Sequence, residues 1–329
     1  MKALVFEKPE EPRIVDVPVP AIKDTEVLIK SNTIGICHSD YELLAGRYII
    51  PISYPVTPGH EWCGEIVEVG KSVKNFRRGD RVVGECVVRT PERLHHFGFS
   101  MDGADREYFS VNPDWLHKLP DNVDDNRGAL IEPFTCGFYA VLRSGGTNAS
   151  ESVVVSGGGT IGLVTAAAAI GMGARVIVVD PIKSRRDIAL RLGAAEAVDA
   201  NDSPVERVKG LTGGKGADLV VEASGHDASV ATVFEYAAQD GRVSMVGLNI
   251  GRKITAQMGL LQLKNLTVRG CIGSPGVWPA AIRFLERTGI DLSPIQTHHF
   301  GLTDAVEAFK LGLNPEACIK VTLSTKGLN

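Results

Sequence analysis

The 329-residue sequence predicts an α/β protein in two parts, an antiparallel β-rich one followed by a doubly wound one built on a parallel sheet. Up to about Arg143, short Val/Ile runs alternate with polar residues and are broken by Pro or Gly every ~10 positions, the pattern of antiparallel strands and tight turns. From about Ser150 the order becomes apolar strand, glycine turn, Ala-rich helix, strand and helix. Such βαβ units close into a parallel sheet covered by helices on both faces. A chain of this length that is 44% hydrophobic and 22% charged can bury two ordinary cores, which excludes a disordered or fibrous protein.

Taken in order, VLIKSNTIGIC, GEIVEVG, GDRVVGECVV and REYFSV supply the alternating strands of the first part. ESVVVSGGGTIGLVTAAAAIGMGARVIVVD supplies strand, turn, helix and strand, and DPIKSRRDIALRLGA a charged helix. GADLVVEASG, GRVSMVGLN and NLTVRGCIG are further strands, PAAIRFLERTG and TDAVEAFKLG are helices, and CIKVTLS is a terminal apolar strand. There is no short-period repeat and no low-complexity segment.

The net charge of -4, with scattered Lys and Arg, lacks the basic face that nucleic acid requires. No stretch approaches the roughly 20 apolar residues of a membrane span. The start, MKALVFEKPEEP, meets charge and proline too soon for a secretory segment, so a cytoplasmic protein is expected. Cys37, Cys63, Cys86, Cys136, Cys271 and Cys318 form no C-x-x-C pair, which suits free thiols and one metal ligand in a reducing compartment.

VVVSGGGTIGLV places Gly157, Gly159 and Gly162 in G-x-G-x-x-G spacing between a Val run and an Ala-rich helix, with Thr160 and Ile161 opening that helix. The glycines allow a tight turn, close approach to a pyrophosphate and helix-on-strand packing, and the helix N-terminus faces the phosphates. Asp180, closing the next strand about twenty residues on, is placed to accept from the adenosine ribose hydroxyls, which favours NAD over NADP. Arg185 and Arg186 follow it, where an arginine can accommodate a 2′-phosphate or simply lie on a solvated helix face.

Outside that segment, Cys37 in GICHSD, His60 and Glu61 in PGHE and Glu132 in ALIEP offer a thiol, an imidazole and carboxylates. Those are the donors a catalytic zinc takes while leaving one position open. Singly, a buried thiol and a satisfied core histidine are the ordinary alternatives.

On GICHSD, PGHEWCGEIVEVG, GDRVV, ALIEP, SGGGTIGL and the terminal strand, the sequence resembles the medium-chain, zinc-dependent alcohol and polyol dehydrogenases over essentially its whole length. The resemblance implies a GroES-like catalytic domain over 1–145, a Rossmann NAD-binding domain over 146–272, and a last part, 273–329, returning to the catalytic domain. It implies a catalytic zinc surrounded by Cys37, His60 and Glu132, with Glu61 as a ligand or close neighbour. Glu132, where classical alcohol dehydrogenases carry cysteine, points to the sorbitol-dehydrogenase-like branch and a polyol or sugar-derived secondary alcohol. An amino alcohol such as threonine is the alternative substrate. The zinc-free quinone and enoyl reductases share the fold and fingerprint but lack the ligand set, and a non-catalytic NAD-binding relative would show degraded ligands.

The family's structural zinc needs four cysteines after G-D-R-V, and GECVVRTPERLHHFGFSMDG has only Cys86, so one zinc per chain is expected, with His95 and His96 in a loop. By the same resemblance, the alcohol loses its proton through Ser39, which is also a candidate helix N-cap, and its hydride passes to the nicotinamide. His38 reaches the cofactor pyrophosphate. The relay histidine is replaced by Glu42, so that either this carboxylate or water carries the proton onward. Cys136, Val246 and Leu248 pack near the nicotinamide ring, and Tyr41, Tyr48, Phe97 and Phe99 are candidates for the substrate wall. The strand NLTVRGCI would be an exposed apolar edge in a monomer, so a homodimer or homotetramer is expected.

Overall fold

The computed structural model describes residues 1–47, 52–89, 94–248 and 251–328; the expected pocket residue Tyr48 lies outside them. Two compact units result. The first contains Met1–Glu132, Trp278–Glu286 and Gln296–Asn329, and the second Pro133–Val277 and Arg287–Ile295. The first division thus falls inside the helix Ile131–Arg143, upstream of the boundary at 145 that the resemblance implies.

In the first unit the alternating segments become strands of one sheet, in the order Gln296–Gly301, Lys320–Ser324, Val27–Gly35, Glu61–Val69, Arg81–Gly84 and Leu116–Lys118. Tyr108–Val111 also pairs with Val27–Gly35. The pairings are antiparallel except between Gln296–Gly301 and Lys320–Ser324, which run parallel. Ile29, Ile34, Trp62, Ile66, Val82 and Phe109 point into one apolar core. Both faces of Val27–Gly35 and of the first half of Glu61–Val69 are largely buried, so a slip of one residue would exchange these core residues with differently sized neighbours such as Thr33, Glu61 and Cys63.

That register sets Gly35 opposite both Glu61 and Thr322, bringing Cys37, His60 and Lys320 to one end of the sheet. A Cβ on Gly35 would stand 2.4 Å from Glu61 Oε2, so this glycine is needed for the close approach. One expectation is corrected here. His95 and His96 lie not in a loop but in the strand Leu94–His96, paired with Val87–Arg89 in a two-stranded ribbon, where His95 packs 5.5 Å from Trp115.

The second unit is the doubly wound one. Its six parallel strands lie in the order Glu196–Asp199, Arg175–Asp180, Ser152–Ser156, Ala217–Glu222, Ala237–Met245 and Thr267–Gly270. The chain builds outward from Ser152–Ser156 in one direction and then in the other, which makes the carboxyl end of that strand the topological switch point where such sheets take ligands. The helices Thr160–Gly171, Lys183–Arg191, Pro204–Leu211 and Asp227–Tyr236 connect the strands. Thr160–Gly171 packs with a run of buried alanines, small enough to seat it against the sheet. Among the described residues no helix is long and apolar enough to cross a membrane.

Candidate metal centre and dinucleotide cradle

Cys37 leaves the strand Val27–Gly35 and caps the helix His38–Leu44, its backbone N–H donating to Asp40 Oδ2 at 2.9 Å. His60 precedes the strand Glu61–Val69, entered through Gly59 at φ +95. The strand pairing then brings donor atoms of Cys37, His60 and Glu61 within 4.8 Å of one another. Ligand bonds of about 2.0–2.3 Å to a tetrahedral ion fit a cluster of that size, and the donor set is one zinc prefers.

His60 is 4% exposed; its Nδ1 stands 3.3 Å from Asp40 Oδ1 and its Nε2 3.4 Å from Ser39 Oγ. The Asp40 carboxylate thus lies behind one ring nitrogen as a charge contact without hydrogen-bond geometry, and the other nitrogen faces Ser39. Burial opposes a charge on His60, but Asp40, Cys86 and Cys37 outweigh it and hold the group well above the ordinary histidine range. Phe99 covers the ring at 4.8 Å.

Glu61 accepts from Lys320 Nζ at 2.5 Å, and Lys320 also donates to the Ile36 carbonyl at 2.9 Å, both side chains being buried. Glu132, in the first turn of Ile131–Arg143, feels the charges of His60, Glu61 and Lys320; burial pushes its carboxyl up to about 7. It is not one of the three residues whose donor atoms converge.

The proton linkage at His60 has a sign. In metal-free protein a raised imidazole pKa stabilises the fold below the unfolded value, and that contribution is lost as pH rises through the folded value. A metal-bound imidazole must give up the proton, so zinc uptake is expected to release protons and to weaken as pH falls through the raised folded value of His60 and below it. Calorimetric titration of zinc into metal-free protein, in buffers of different ionisation heat, measures both; proton uptake, or affinity indifferent to pH, would contradict the assignment of His60.

Several expected residues have other employment. Ser39 is not the N-cap but the second residue of its helix. His38 projects into solvent, 3.9 Å from Glu42. Glu42 accepts from Arg47 Nε and Nη2, each at 3.3 Å, in an ion pair at the protein surface. Tyr41, half-buried, packs on Phe309 against the apolar core with its hydroxyl toward Gly312, and Phe97 is buried in that core on Trp62 and Phe109.

In the second unit, Gly157 sits at φ +111, a conformation costly for any residue with a Cβ. A Cβ on Gly162 would stand 1.8 Å from the Gly157 carbonyl oxygen, so the helix can lie this close only with glycine there. The helix Thr160–Gly171, opened by Thr160 and Ile161, begins at Gly159 without a side-chain cap hydrogen bond, and its N-terminal end carries the positive end of the helix dipole. Asp180 accepts from Gly158 N–H at 2.6 Å and Ile182 N–H at 2.8 Å, with Arg185 Nη1 at 3.9 Å. Arg186 is committed to the carbonyls of Asp180 and Pro181 and to Asp199 at 2.9 Å. Cys136 lies half-buried in Ile131–Arg143, and Val246 and Leu248 follow the strand Ala237–Met245.

Two residues of the metal centre escaped the sequence reading. Asp40 had a signal, an acid three positions after the helix cap. Lys320 had another, a single cation in an otherwise apolar strand, which a buried position tolerates only with a partner.

Residues 23–121 match the family model for the alcohol dehydrogenase GroES-like domain, and residues 160–287 that for zinc-binding dehydrogenases. Sorbitol dehydrogenase of Ovis aries is 33% identical over 97% of this chain and 96% of its own length. The crystal structure of 2R,3R-butanediol dehydrogenase from Bacillus subtilis superposes with a TM-score of 0.90 at 28% identity, over 99% of both chains. A zinc-binding dehydrogenase from Sinorhizobium meliloti 1021, bound to NADP, matches with a TM-score of 0.90 at 28% identity over 98% of each chain.

Proposed function

The chain belongs to the zinc-binding alcohol and polyol dehydrogenases, and from that premise we propose that it oxidises the secondary alcohol of a polyol or sugar-derived substrate, with NAD as hydride acceptor. The convergence of Cys37, His60 and Glu61 carries this reading. Zinc bound there supplies the Lewis acidity that brings the pKa of an alcohol toward neutrality.

The surrounding residues balance that ion. The buried Lys320 pairs with Glu61 and so offsets one of the carboxylates around the site. Asp40 stands behind His60. The Ser39 hydroxyl, beside His60, takes the alcohol proton, and water carries it onward, Glu42 lying in an ion pair with Arg47 at the protein surface. With Cys86 the only cysteine between Gly84 and Gly103, a four-sulfur structural site has no ligands, and one zinc per chain is expected.

NAD is favoured over NADP because a 2′-phosphate beside Asp180 would meet a like charge, and because Arg186 is occupied. All four residues of the edge strand Thr267–Gly270 are exposed, with Leu263 and Ile272 exposed beside it. An uncovered apolar edge favours pairing with a second copy, so at least a dimer is expected.

The test is metal analysis of unsupplemented protein together with NAD and NADP reduction against polyols, sugar acids and threonine, before and after chelation. About one zinc per chain and chelator-sensitive NAD reduction with a polyol support the reading. Preference for threonine would move the substrate to amino alcohols. Zinc-free protein whose reductase activity ignores the chelator would overturn the metal centre.

A further inference from the structure

The strand Ala217–Glu222 ends in a carboxylate with no exposed surface and, among the described residues, no ion-pair partner. Glu222 Oε1 accepts from Ser224 N–H at 3.0 Å, Ser224 Oγ at 2.6 Å, Gly225 N–H at 3.1 Å and Ser229 Oγ at 2.7 Å. Oε2 shares the Gly225 N–H at 3.1 Å. Its backbone carbonyl takes the N–H groups of Val246 and Gly247 at 2.8 and 3.0 Å. Ser229 Oγ lies in turn 2.7 Å from Ser156 Oγ, at the end of the neighbouring strand.

One residue therefore gathers the three segments that leave the carboxyl ends of the central strands. A Cβ on Gly157 would stand 2.9 Å from Ser224, one on Gly225 2.5 Å from the Leu248 carbonyl oxygen, and one on Gly247 2.4 Å from Glu222 Oε2. Segments packed this closely move together. On such a sheet a dinucleotide spans the switch point, with its adenosine ribose at Asp180. Its other half then lies over the ends of Ala217–Glu222 and Ala237–Met245, where Glu222 is the organising group.

We infer that Glu222 is a positioning residue for the nicotinamide half of the cofactor, acting through the Ser224–Gly225 and Val246–Leu248 segments rather than by touching the cofactor. The inference rests on the dinucleotide reading above. The donor set favours a carboxylate: Oε1 takes four contacts and Oε2 the shared Gly225 N–H. An amide that kept its oxygen at Oε1 would still turn its NH2 toward that N–H, and a buried donor facing a donor loses its hydrogen bond without recovering water.

The test compares wild type, Glu222→Gln and Ser229→Ala for binding of NADH and of AMP, which carries only the adenosine half, together with cofactor KM, alcohol KM and melting temperature. Wild type binding neither ligand would overturn the dinucleotide reading itself. With wild type binding both, the inference expects Glu222→Gln to weaken NADH about tenfold or more and to raise cofactor KM, while AMP affinity and alcohol KM stay within about twofold. Ser229→Ala, which removes one donor and leaves the carboxylate its other partners, is expected to give a smaller loss in the same direction. It carries the test should Glu222→Gln not accumulate as folded protein. NADH affinity unchanged in the variants obtained, or NADH and AMP weakened equally, would overturn the inference, since equal weakening is the signature of a merely structural role.

Discussion

His60→Ala is expected to purify as a folded protein with little bound zinc and with NAD reduction at least about a thousandfold below wild type, since each ~1.4 kcal/mol of lost transition-state stabilisation is tenfold in rate and a Lewis acid supplies several. The imidazole is the donor held most firmly: it is buried, backed by Asp40 at 3.3 Å and covered by Phe99. In metal-free protein removing it also leaves the buried Asp40 without the charged imidazole, so a moderate fall in the melting temperature of the metal-free form accompanies the loss. Asp40→Asn separates the two effects. It keeps the ligand but loosens its orientation, and a loss of roughly 10–100-fold in zinc affinity is expected, with activity restored at high zinc. Activity in His60→Ala near wild type, with zinc still bound, would remove the ring from the metal centre.

Lys320→Met is expected to destabilise the metal-free protein by about 3–5 kcal/mol near neutral pH, because it strands the Glu61 carboxylate in an interior that water does not reach. The same change takes a donor from the Ile36 carbonyl. The double variant Lys320→Met/Glu61→Leu removes both charges and should recover much of the loss, since apolar replacement of a whole buried pair is often close to neutral. Urea unfolding followed by a probe in the first unit gives the comparison. A single variant costing less than about 1 kcal/mol, or a double variant no better than the single, would mean that the pair does not act as a unit.

How much of this was legible before folding depended on range. The glycine fingerprint, with Asp180 closing the next strand, is local: strand, turn and helix follow within one continuous segment, and the steric needs of Gly157 and Gly162 are written in the residues themselves. Alternation of period two marked most of the first unit's strands for the same reason, whereas the ribbon holding His95 and His96 was missed, a three-residue strand being too short for a pattern to show. The short strand Glu196–Asp199 and the helix Pro204–Leu211 went unassigned because a charged, Asp-rich stretch surrounds them.

Residue types and motif resemblance nominated Cys37, His60, Glu61 and Glu132, but spacing alone could not join them. Tertiary structure alone decided that Gly35 stands between Glu61 and Thr322 and that Lys320 neutralises one carboxylate. It also decided that Tyr41, half-buried, packs against the core on Phe309. The physical reason is the same throughout. Backbone geometry and side-chain period act over a few residues and can be read in order, whereas the pairing of a buried charge depends on which strands share an edge. That is chosen by the packing of the whole sheet, with Lys320 and Glu61 meeting from 259 positions apart.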